Sequence, residues 1–148
     1  MSVEILPRDL KNLEKLTRYA QKLHDFRVEP YPNNYLMVAL LASKNRSCFG
    51  VNNYEKTHTT TIQPEPTRYL ITIHAEVDAI RNWGAKWSFS QAHNLRLYTV
   101  GFTRGGGFCL SSKPCNSCMT LIETFGIKEI IYCQRVQNGL TLKKELVS

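Results

Sequence analysis

The chain has 148 residues, of which 43% are hydrophobic and 21% are charged. This length and composition predict one globular domain spanning residues 1–148. The longest uninterrupted apolar run, from Tyr35 to Ala42, is too short to cross a bilayer, so no membrane partner is expected. The formal net charge of +7 favours anionic partners such as a nucleotide or a nucleic acid, and a basic surface without a particular partner is the alternative.

The start of the chain and its five cysteines both bear on the cellular compartment. The first residues contain neither a basic segment nor a long apolar segment, so no secretory signal is predicted. An odd number of cysteines without such a signal argues against a disulfide framework and favours a reducing, cytoplasmic compartment. Cys48 and Cys133 lie among apolar residues and are predicted to be small buried hydrophobes.

The first half of the chain predicts one helix, a β-hairpin and a loop. Leucines at helical spacing between Asp9 and Leu23 indicate an amphipathic helix, and Asp9 is placed to cap its N-terminus. A near-continuous apolar segment at 35–43 predicts a buried strand, and 47–51 predicts its hairpin partner. The polar segment 52–73 predicts a long loop that borders a site.

The second half alternates between helix and strand. Helical spacing resumes at His74, and Gly84 is the predicted stop. The remaining predicted elements are a strand at 95–102, a helix at 115–125 that Gly126 ends, a strand at 130–133 and a strand at 140–146. This order predicts an α/β fold, a three-layer α/β/α sandwich with a mixed sheet of about five strands.

Two short motifs carry the chemistry. His74-Ala75-Glu76 and Pro114-Cys115-Asn116-Ser117-Cys118 each fall at the start of a predicted helix, and one predicted strand lies between them. His74, Cys115 and Cys118 suit zinc, and three protein ligands leave one position for water, as in catalytic zinc sites. A lone Cys-x-x-Cys also fits a redox pair or half of a structural zinc site. The two motifs together predict a hydrolytic zinc centre.

Helix N-termini suit such a centre. The positive end of the helix dipole favours thiolate over thiol at Cys115 and Cys118. Two thiolates and a neutral His74 would bring the charge of a zinc site close to zero and weaken the metal as a Lewis acid. A base near the metal should then matter, and Glu76, two residues after His74, is the candidate.

The paired motifs resemble the signature of the zinc-dependent cytidine and deoxycytidylate deaminase superfamily. The resemblance covers about residues 35–134, and Gly50-Val51-Asn52 is similar to the family's Gly-x-Asn segment. It implies a cytidine deaminase-like fold and a bound Zn²⁺ held by His74, Cys115 and Cys118. It also implies a homo-oligomer in which neighbouring loops complete each site.

The resemblance further implies a mechanism. Water activated at the zinc attacks the amine-bearing carbon of the ring, and ammonia leaves. Glu76 carries a proton to the neighbouring ring nitrogen and later to the leaving amine. The backbone N–H of Ala75 holds the ring carbonyl of a pyrimidine, the carbonyl of Lys113 accepts from the leaving amine, and Asn52 contacts the sugar.

Two features favour different branches of this superfamily. His74 stands where deaminases of free cytidine commonly carry cysteine, which favours the deoxycytidylate or nucleic-acid branches. Only fifteen residues follow Cys133, whereas a parallel return needs a crossover of about a dozen residues or more. Since Asn138-Gly139 is also a hairpin signal, an antiparallel last strand is predicted, and this geometry resembles deaminases of free nucleosides.

The main hypothesis is therefore hydrolytic deamination of a free cytosine nucleoside or nucleotide. The alternative is a deaminase of nucleic acid, acting on cytosine in single-stranded DNA or on tRNA adenosine. Such an enzyme needs a basic groove and stacking aromatic residues. The candidates for stacking are Tyr54, Tyr69, Phe102 and Phe108, which equally fit the edge of a core.

A third hypothesis is a binding module without catalysis. Cys109, Cys115, Cys118 and Cys133 would then form a structural zinc site with four protein ligands. The spacing between the first two is unusual for such a site, and Glu76 would have no role in it.

Overall fold

The computed structural model describes residues 4–26, 35–52, 74–87, 94–103, 107–137 and 139–147. The helices and strands within these ranges follow one another as α1 (Pro7–Phe26), β1 (Tyr35–Ala42), β2 (Ser47–Val51), α2 (Ala75–Lys86), β3 (Arg96–Thr103), α3 (Asn116–Thr124), β4 (Glu129–Val136) and β5 (Gly139–Leu146). This order is the one that the sequence predicts. The predicted loop at 52–73 lies outside the described residues, except for Asn52.

The five strands form one mixed sheet in the order β2-β1-β3-β4-β5. β1 is antiparallel to both β2 and β3, and β3 is parallel to β4. β5 returns antiparallel to β4, with Gly139 opposite Val136 next to the connecting turn. The short connection leaves no room for a crossover helix, so the prediction of an antiparallel last strand is confirmed.

Helices cover both faces of the sheet. Leu16 and Ala20 of α1 are buried on one face, whereas Trp83 of α2 and Ile122 of α3 are buried on the other. β3 is buried at seven of its eight positions, because it is covered from both sides. The predicted three-layer α/β/α sandwich is therefore confirmed. None of the described helices combines the length and the apolar character that a membrane crossing requires.

Several predicted boundaries were wrong by a few residues. α2 continues through Gly84 to Lys86, and the N–H of Trp87 donates to the carbonyl of Trp83 at 2.8 Å. The rings of Trp83 and Trp87 pack edge to face at 4.8 Å, which adds stability where an exposed glycine costs only about 1 kcal/mol. Gly126, with φ of 76°, ends α3 as predicted.

Asp9 does not precede its helix but lies in the first turn. α1 begins at Pro7, and Oδ2 of Asp9 accepts a hydrogen bond from the backbone N–H of Leu6 at 2.9 Å. The carboxylate therefore satisfies an N-terminal donor from inside the helix, as the third residue of a capping box does. The predicted capping role is right, and its predicted position is wrong.

The two ends of the sheet have different neighbours. At the upper end, Tyr35 pairs with Thr103, and β2 ends at Val51. At the lower end, Arg96 pairs with Ala42 on one side and with Glu129 on the other. The connections after β2 and β3 leave from the upper end, so the residues that open α2 and α3 are expected there.

Candidate active site

His74 and Cys115 occupy equivalent places in the fold. Each stands at the N-cap position of its helix, His74 before α2 and Cys115 before α3. The carbonyl of His74 accepts from the N–H of Asp78 at 3.0 Å, and that of Cys115 accepts from Met119 at 2.8 Å. Neither side chain makes a capping hydrogen bond to its own helix. Because imidazole and thiol replace the usual capping oxygens, both side chains can turn toward each other.

Three potential ligand atoms meet at these helix starts. One atom each from His74, Cys115 and Cys118 lie within 4.8 Å of one another. Nδ1 of His74 is 3.8 Å from Sγ of Cys115 and 3.4 Å from Sγ of Cys118. Of the residues that the structure describes, these three form the one such group, and Cys109 and Cys133 are not in it. The hypothesis of a four-cysteine structural site is therefore wrong.

The donor set fits zinc. One imidazole nitrogen and two cysteine sulfurs are ligands that Zn²⁺ binds well, and three protein ligands are the number found in catalytic sites. Cys118 is buried and Cys115 is exposed, so the group lies at the boundary between the core and solvent. An ion held there would be fixed by the protein on one side and accessible on the other.

Hydrogen bonds couple the pKa values of these three groups. A hydrogen bond with Cys118 lowers the pKa of Cys115 to about 4, and a second one with His74 acts in the same direction against burial. The hydrogen bond with Cys115 raises the pKa of Cys118. A hydrogen bond with Cys115 also raises the pKa of His74. A metal ion that binds these groups would compete with their protonation.

Glu76 is the buried carboxyl group next to this cluster. It is only 5% exposed, and its Oε2 lies 3.6 Å from Sγ of Cys118. Burial raises the pKa of Glu76, and the nearby His74 opposes that rise. A carboxyl group whose pKa is raised toward neutrality is suited to both accepting and donating a proton.

Gly50 sets the distance between β2 and the start of α2. A Cβ atom at Gly50 would lie 2.3 Å from the carbonyl oxygen of Ala75 and 2.3 Å from the backbone nitrogen of Ala79. No side chain fits there. Oδ2 of Asp78 also accepts from the N–H of Val51 at 3.0 Å. Sequence reasoning did not identify Asp78 as a residue that positions the site, although an acidic residue in a first helical turn is a readable signal.

Ser112 holds the segment that leads to Cys115. It is fully buried. Its Oγ donates a hydrogen bond to the carbonyl of Thr99 at 3.0 Å and accepts one from the N–H of Cys133 at 2.9 Å. The hydroxyl of Thr99 donates to the carbonyl of Ser112 at 2.6 Å. These bonds fix the segment to β3 and β4. The sequence carries no sign of this role, because a serine in a loop has many possible partners.

The three predicted substrate contacts have different surroundings. Asn52 is buried, and its Oδ1 accepts from the N–H of Met37 at 3.0 Å. Ala75 is the first residue of α2, so its N–H belongs to the group that has no partner within the helix. Lys113 is exposed, and its Nζ lies 3.2 Å from a carboxylate oxygen of Glu145. Their contacts with a substrate stay predictions.

Two of the four candidate stacking residues belong to the core. Phe102 is buried in β3, and its ring lies 5.0 Å from that of Phe108, centroid to centroid. Both rings pack in the layer that α1 covers. Tyr54 and Tyr69 lie outside the described residues. The core-packing interpretation therefore applies to the two phenylalanines.

Comparisons with known proteins agree with this arrangement. A family model described as the cytidine and deoxycytidylate deaminase zinc-binding region matches residues 10–134. Among solved structures, the cytidine deaminase of Burkholderia pseudomallei is 18% identical with a TM-score of 0.53, and the match covers 88% of this chain and 90% of that one. The cytidine deaminase of Mycobacterium leprae is 20% identical with a TM-score of 0.50, covering 88% and 92%. A search of curated protein sequences found no significant match.

At such identities the structural likeness shows the fold, which is the predicted cytidine deaminase-like one. The family model spans most of the chain and includes both motifs. The group of His74, Cys115 and Cys118 provides the metal site that this family requires. The chain therefore belongs to the zinc-binding family of cytidine and deoxycytidylate deaminases.

Proposed function

We propose that this protein catalyses the hydrolytic deamination of a free cytosine nucleoside or nucleotide and releases ammonia. One observation carries the proposal. Three ligand atoms lie within 4.8 Å of one another, and the carboxylate of the buried Glu76 lies 3.6 Å from one of the sulfurs. A three-ligand site beside a buried acid is suited to activating water, whereas a structural zinc site has four protein ligands and needs no acid.

The residues of the chain divide the work. His74, Cys115 and Cys118 would hold the zinc ion, which when bound acts as a Lewis acid and lowers the pKa of water. Glu76 would take the proton from the attacking water and give it to the ring nitrogen. It would then take the proton of the added hydroxyl and give it to the amine, so that ammonia leaves as the ring carbonyl forms. The raised pKa of Glu76 supports this role because the group must hold the proton between the two transfers.

Three further groups would orient the ring and the sugar. The N–H of Ala75, at the positive end of the α2 dipole, would donate to the ring carbonyl. The carbonyl of Lys113, two residues before Cys115, would accept from the departing amine. Asn52 would contact the sugar from the end of β2. The position of Asn52 supports this, because its Oδ1 accepts from the N–H of Met37 and so fixes the side chain.

The antiparallel β5 supports a free substrate over a polynucleotide. That geometry is the one that resembles deaminases of free nucleosides, and the two solved structures reported above are named cytidine deaminases. Phe102 is buried and the partly buried Phe108 packs against the same cluster, so two of the four candidate stacking residues of the polynucleotide hypothesis contribute to the core. We also propose a cytoplasmic location and a homo-oligomer, and the five free cysteines support a reducing compartment.

The decisive variant is Glu76→Gln. We expect it to keep its zinc and to lose about 10²–10⁴ in kcat/KM, because it removes the proton carrier without touching a ligand. Ammonia release would be measured on free nucleosides, their mono- and triphosphates, and short single strands. Glu123→Gln removes the same charge from an exposed position on α3 and serves as the control. Near-normal activity of Glu76→Gln would refute its role, and activity on single strands alone would refute the free substrate.

A further inference from the structure

A basic cleft opens at the lower end of the sheet and has a volume of about 1110 Å³. Glu129 is the acidic residue among its described lining residues. The cationic lining residues are Arg8, Lys11, Lys44, Arg46, Arg96 and Lys128. They come from α1, the β1–β2 turn, β3 and the segment before β4, so the fold concentrates a charge that the sequence scatters.

Arg96 is the buried cation of the cleft. It is only 6% exposed, and its guanidinium donates to the hydroxyl of Tyr98 at 3.1 Å. Two longer contacts reach the carbonyls of Asn94 at 3.5 Å and Ser43 at 3.4 Å. A guanidinium has five N–H donors, so the described residues leave two of them without an acceptor. They also place no carboxylate within ion-pair distance of Arg96, although burying an unpaired charge is costly.

The nearby acids already have other partners. Asp9 accepts from Lys144 at 2.8 Å and from the hydroxyl of Tyr98 at 2.7 Å. Glu129 pairs with Lys144 at 3.1 Å and with Arg8 at 3.1 Å. Within the described ranges, the cleft cations other than Arg8 and Arg96 form no ion pair; these are Lys11, Lys44, Arg46 and Lys128. The positive charge of the cleft is therefore only partly neutralised by the protein.

Trp83 supplies a second and independent sign of a missing partner. It lines the cleft, it is only 1% exposed, and its Nε1 is the one buried side-chain nitrogen or oxygen in the described residues that has no hydrogen-bond partner. An indole nitrogen can only donate. The unsatisfied indole N–H of Trp83 requires an acceptor, and the unpaired guanidinium at the same cleft favours one that carries negative charge.

We propose that the basic cleft binds a small ligand that carries a chain of phosphates, such as a nucleoside triphosphate, at a site separate from the zinc centre. Arginine forks match phosphate oxygens, and the lysines at the rim add charge. A polynucleotide would require exposed aromatic rings for stacking, and the described lining residues contain none. Trp83 follows His74 by nine residues on α2, which separates the two sites by about 14 Å along the helix axis.

Inorganic tripolyphosphate is the probe, and the zinc-loaded chain of 148 residues is the material. Trp83 and Trp87 are the two tryptophans of the chain, so their fluorescence reports on the cleft directly. Titrations at constant ionic strength, followed by fluorescence and by calorimetry, should show saturable binding with one ligand per chain. The zinc content is measured after each titration to confirm that the probe has not removed the metal.

The double variant Lys44→Gln/Arg46→Gln tests the rim without disturbing the core. We expect it to weaken tripolyphosphate binding by about tenfold or more, since a hydrogen bond to a charged group contributes about that much. Its ammonia-release activity should stay unchanged, because neither residue belongs to the zinc centre. Arg18→Gln/Lys22→Gln removes the same charge from exposed positions on α1 and should bind the probe like the parent chain.

Arg96→Lys tests the buried guanidinium while keeping its charge. We expect at least a further tenfold loss of affinity with a native circular dichroism spectrum, because lysine lacks the planar fork. An equal loss of tripolyphosphate affinity in the rim variant and in its control would show that only the overall charge matters, and it would overturn the proposal. So would the absence of saturable binding by the parent chain. Displacement of the probe by a short single strand, with a steeper salt dependence than the probe itself shows, would assign the cleft to nucleic acid instead.

Discussion

The two ends of the sheet differ in how the sequence builds them. The upper end takes its candidate metal ligands from two motifs, each no longer than five residues, at the starts of α2 and α3. The lower end takes its cations from positions between Arg8 and Lys128. α2 contributes to both, with His74 before its first residue and Trp83 in its last turn. The residues of a site that needs precise geometry lie close together in the sequence, whereas the residues that form a charged surface can be far apart in the sequence and meet only in the fold.

The two ends also have opposite electrostatic needs. At the upper end, the sulfurs of Cys115 and Cys118 and the buried carboxyl group of Glu76 lie close together in a group that suits a cation. At the lower end, the buried Arg96 and the indole of Trp83, whose N–H has no partner among the described residues, line a cleft that suits an anion. Variants that change the candidate metal site and leave the basic cleft intact, or the reverse, therefore distinguish the functions of the two sites.

The largest effect should come from Cys115→Ser. We expect loss of bound zinc and a fall in activity of at least about 10³-fold, because a catalytic zinc depends on all three of its protein ligands. Metal analysis and ammonia release measure the two results. Cys109→Ser is the matched control, since Cys109 is buried but is not in the ligand group.

If zinc were retained in Cys115→Ser and lost in Cys109→Ser, the assignment of the zinc ligands would be contradicted. The comparison of the two ends adds a second readout. Tripolyphosphate binding in the basic cleft should be the same in both variants, because the cleft draws on no residue of the ligand group.

Gly50→Ala should produce the next largest effect. The added Cβ would meet backbone atoms of Ala75 and Ala79 at 2.3 Å, so the start of α2 must move away from β2. A displacement of about 1 Å at a catalytic group can cost about 10²-fold in rate, and we expect a loss of that order in kcat/KM. Gly107→Ala is the control, because the nearest atom to its added Cβ lies 3.9 Å away. Unchanged kcat/KM in Gly50→Ala would show that this contact does not position Glu76.

Much of the fold could be predicted because its signals are local. Helical spacing predicted α1, the Asn-Gly pair predicted the hairpin that leads into β5, and Gly126 predicted the end of α3, as the structure has them. The prediction failed where a tertiary contact outweighs a local preference. α2 continues past Gly84 because Trp87 packs on Trp83, and β4 extends to Val136 because β5 pairs along its whole length.

The candidate site shows the same division. His74, Glu76, Cys115 and Cys118 could be identified from spacing, since each motif lies within one helix start. Ser112 could not, because its role depends on β3 and β4 passing on either side of it. The basic cleft could not be predicted either. Its cations become neighbours only when the β1–β2 turn, β3 and β4 meet at one end of the sheet.

The smallest effect concerns the acid stability of the lower end, and it depends on Asp9. Burial raises the pKa of Asp9, but hydrogen bonds from Lys144 and Tyr98 outweigh it, so the pKa lies below the ordinary 3.8. A lowered pKa in the folded state means stability that is present above pH 3.8 and is lost as the pH falls below that value. The free energy of unfolding should therefore decline more gradually in Asp9→Asn than in the parent chain over that range.

Asp25→Asn, an exposed aspartate on the same helix, should keep the decline of the parent chain. Urea unfolding at a series of pH values measures the slopes, and zinc release at low pH is common to all three proteins, so it cancels in the comparison. Equal slopes in Asp9→Asn and Asp25→Asn would mean that the contacts of Asp9 with Lys144 and Tyr98 do not stabilise its charged form.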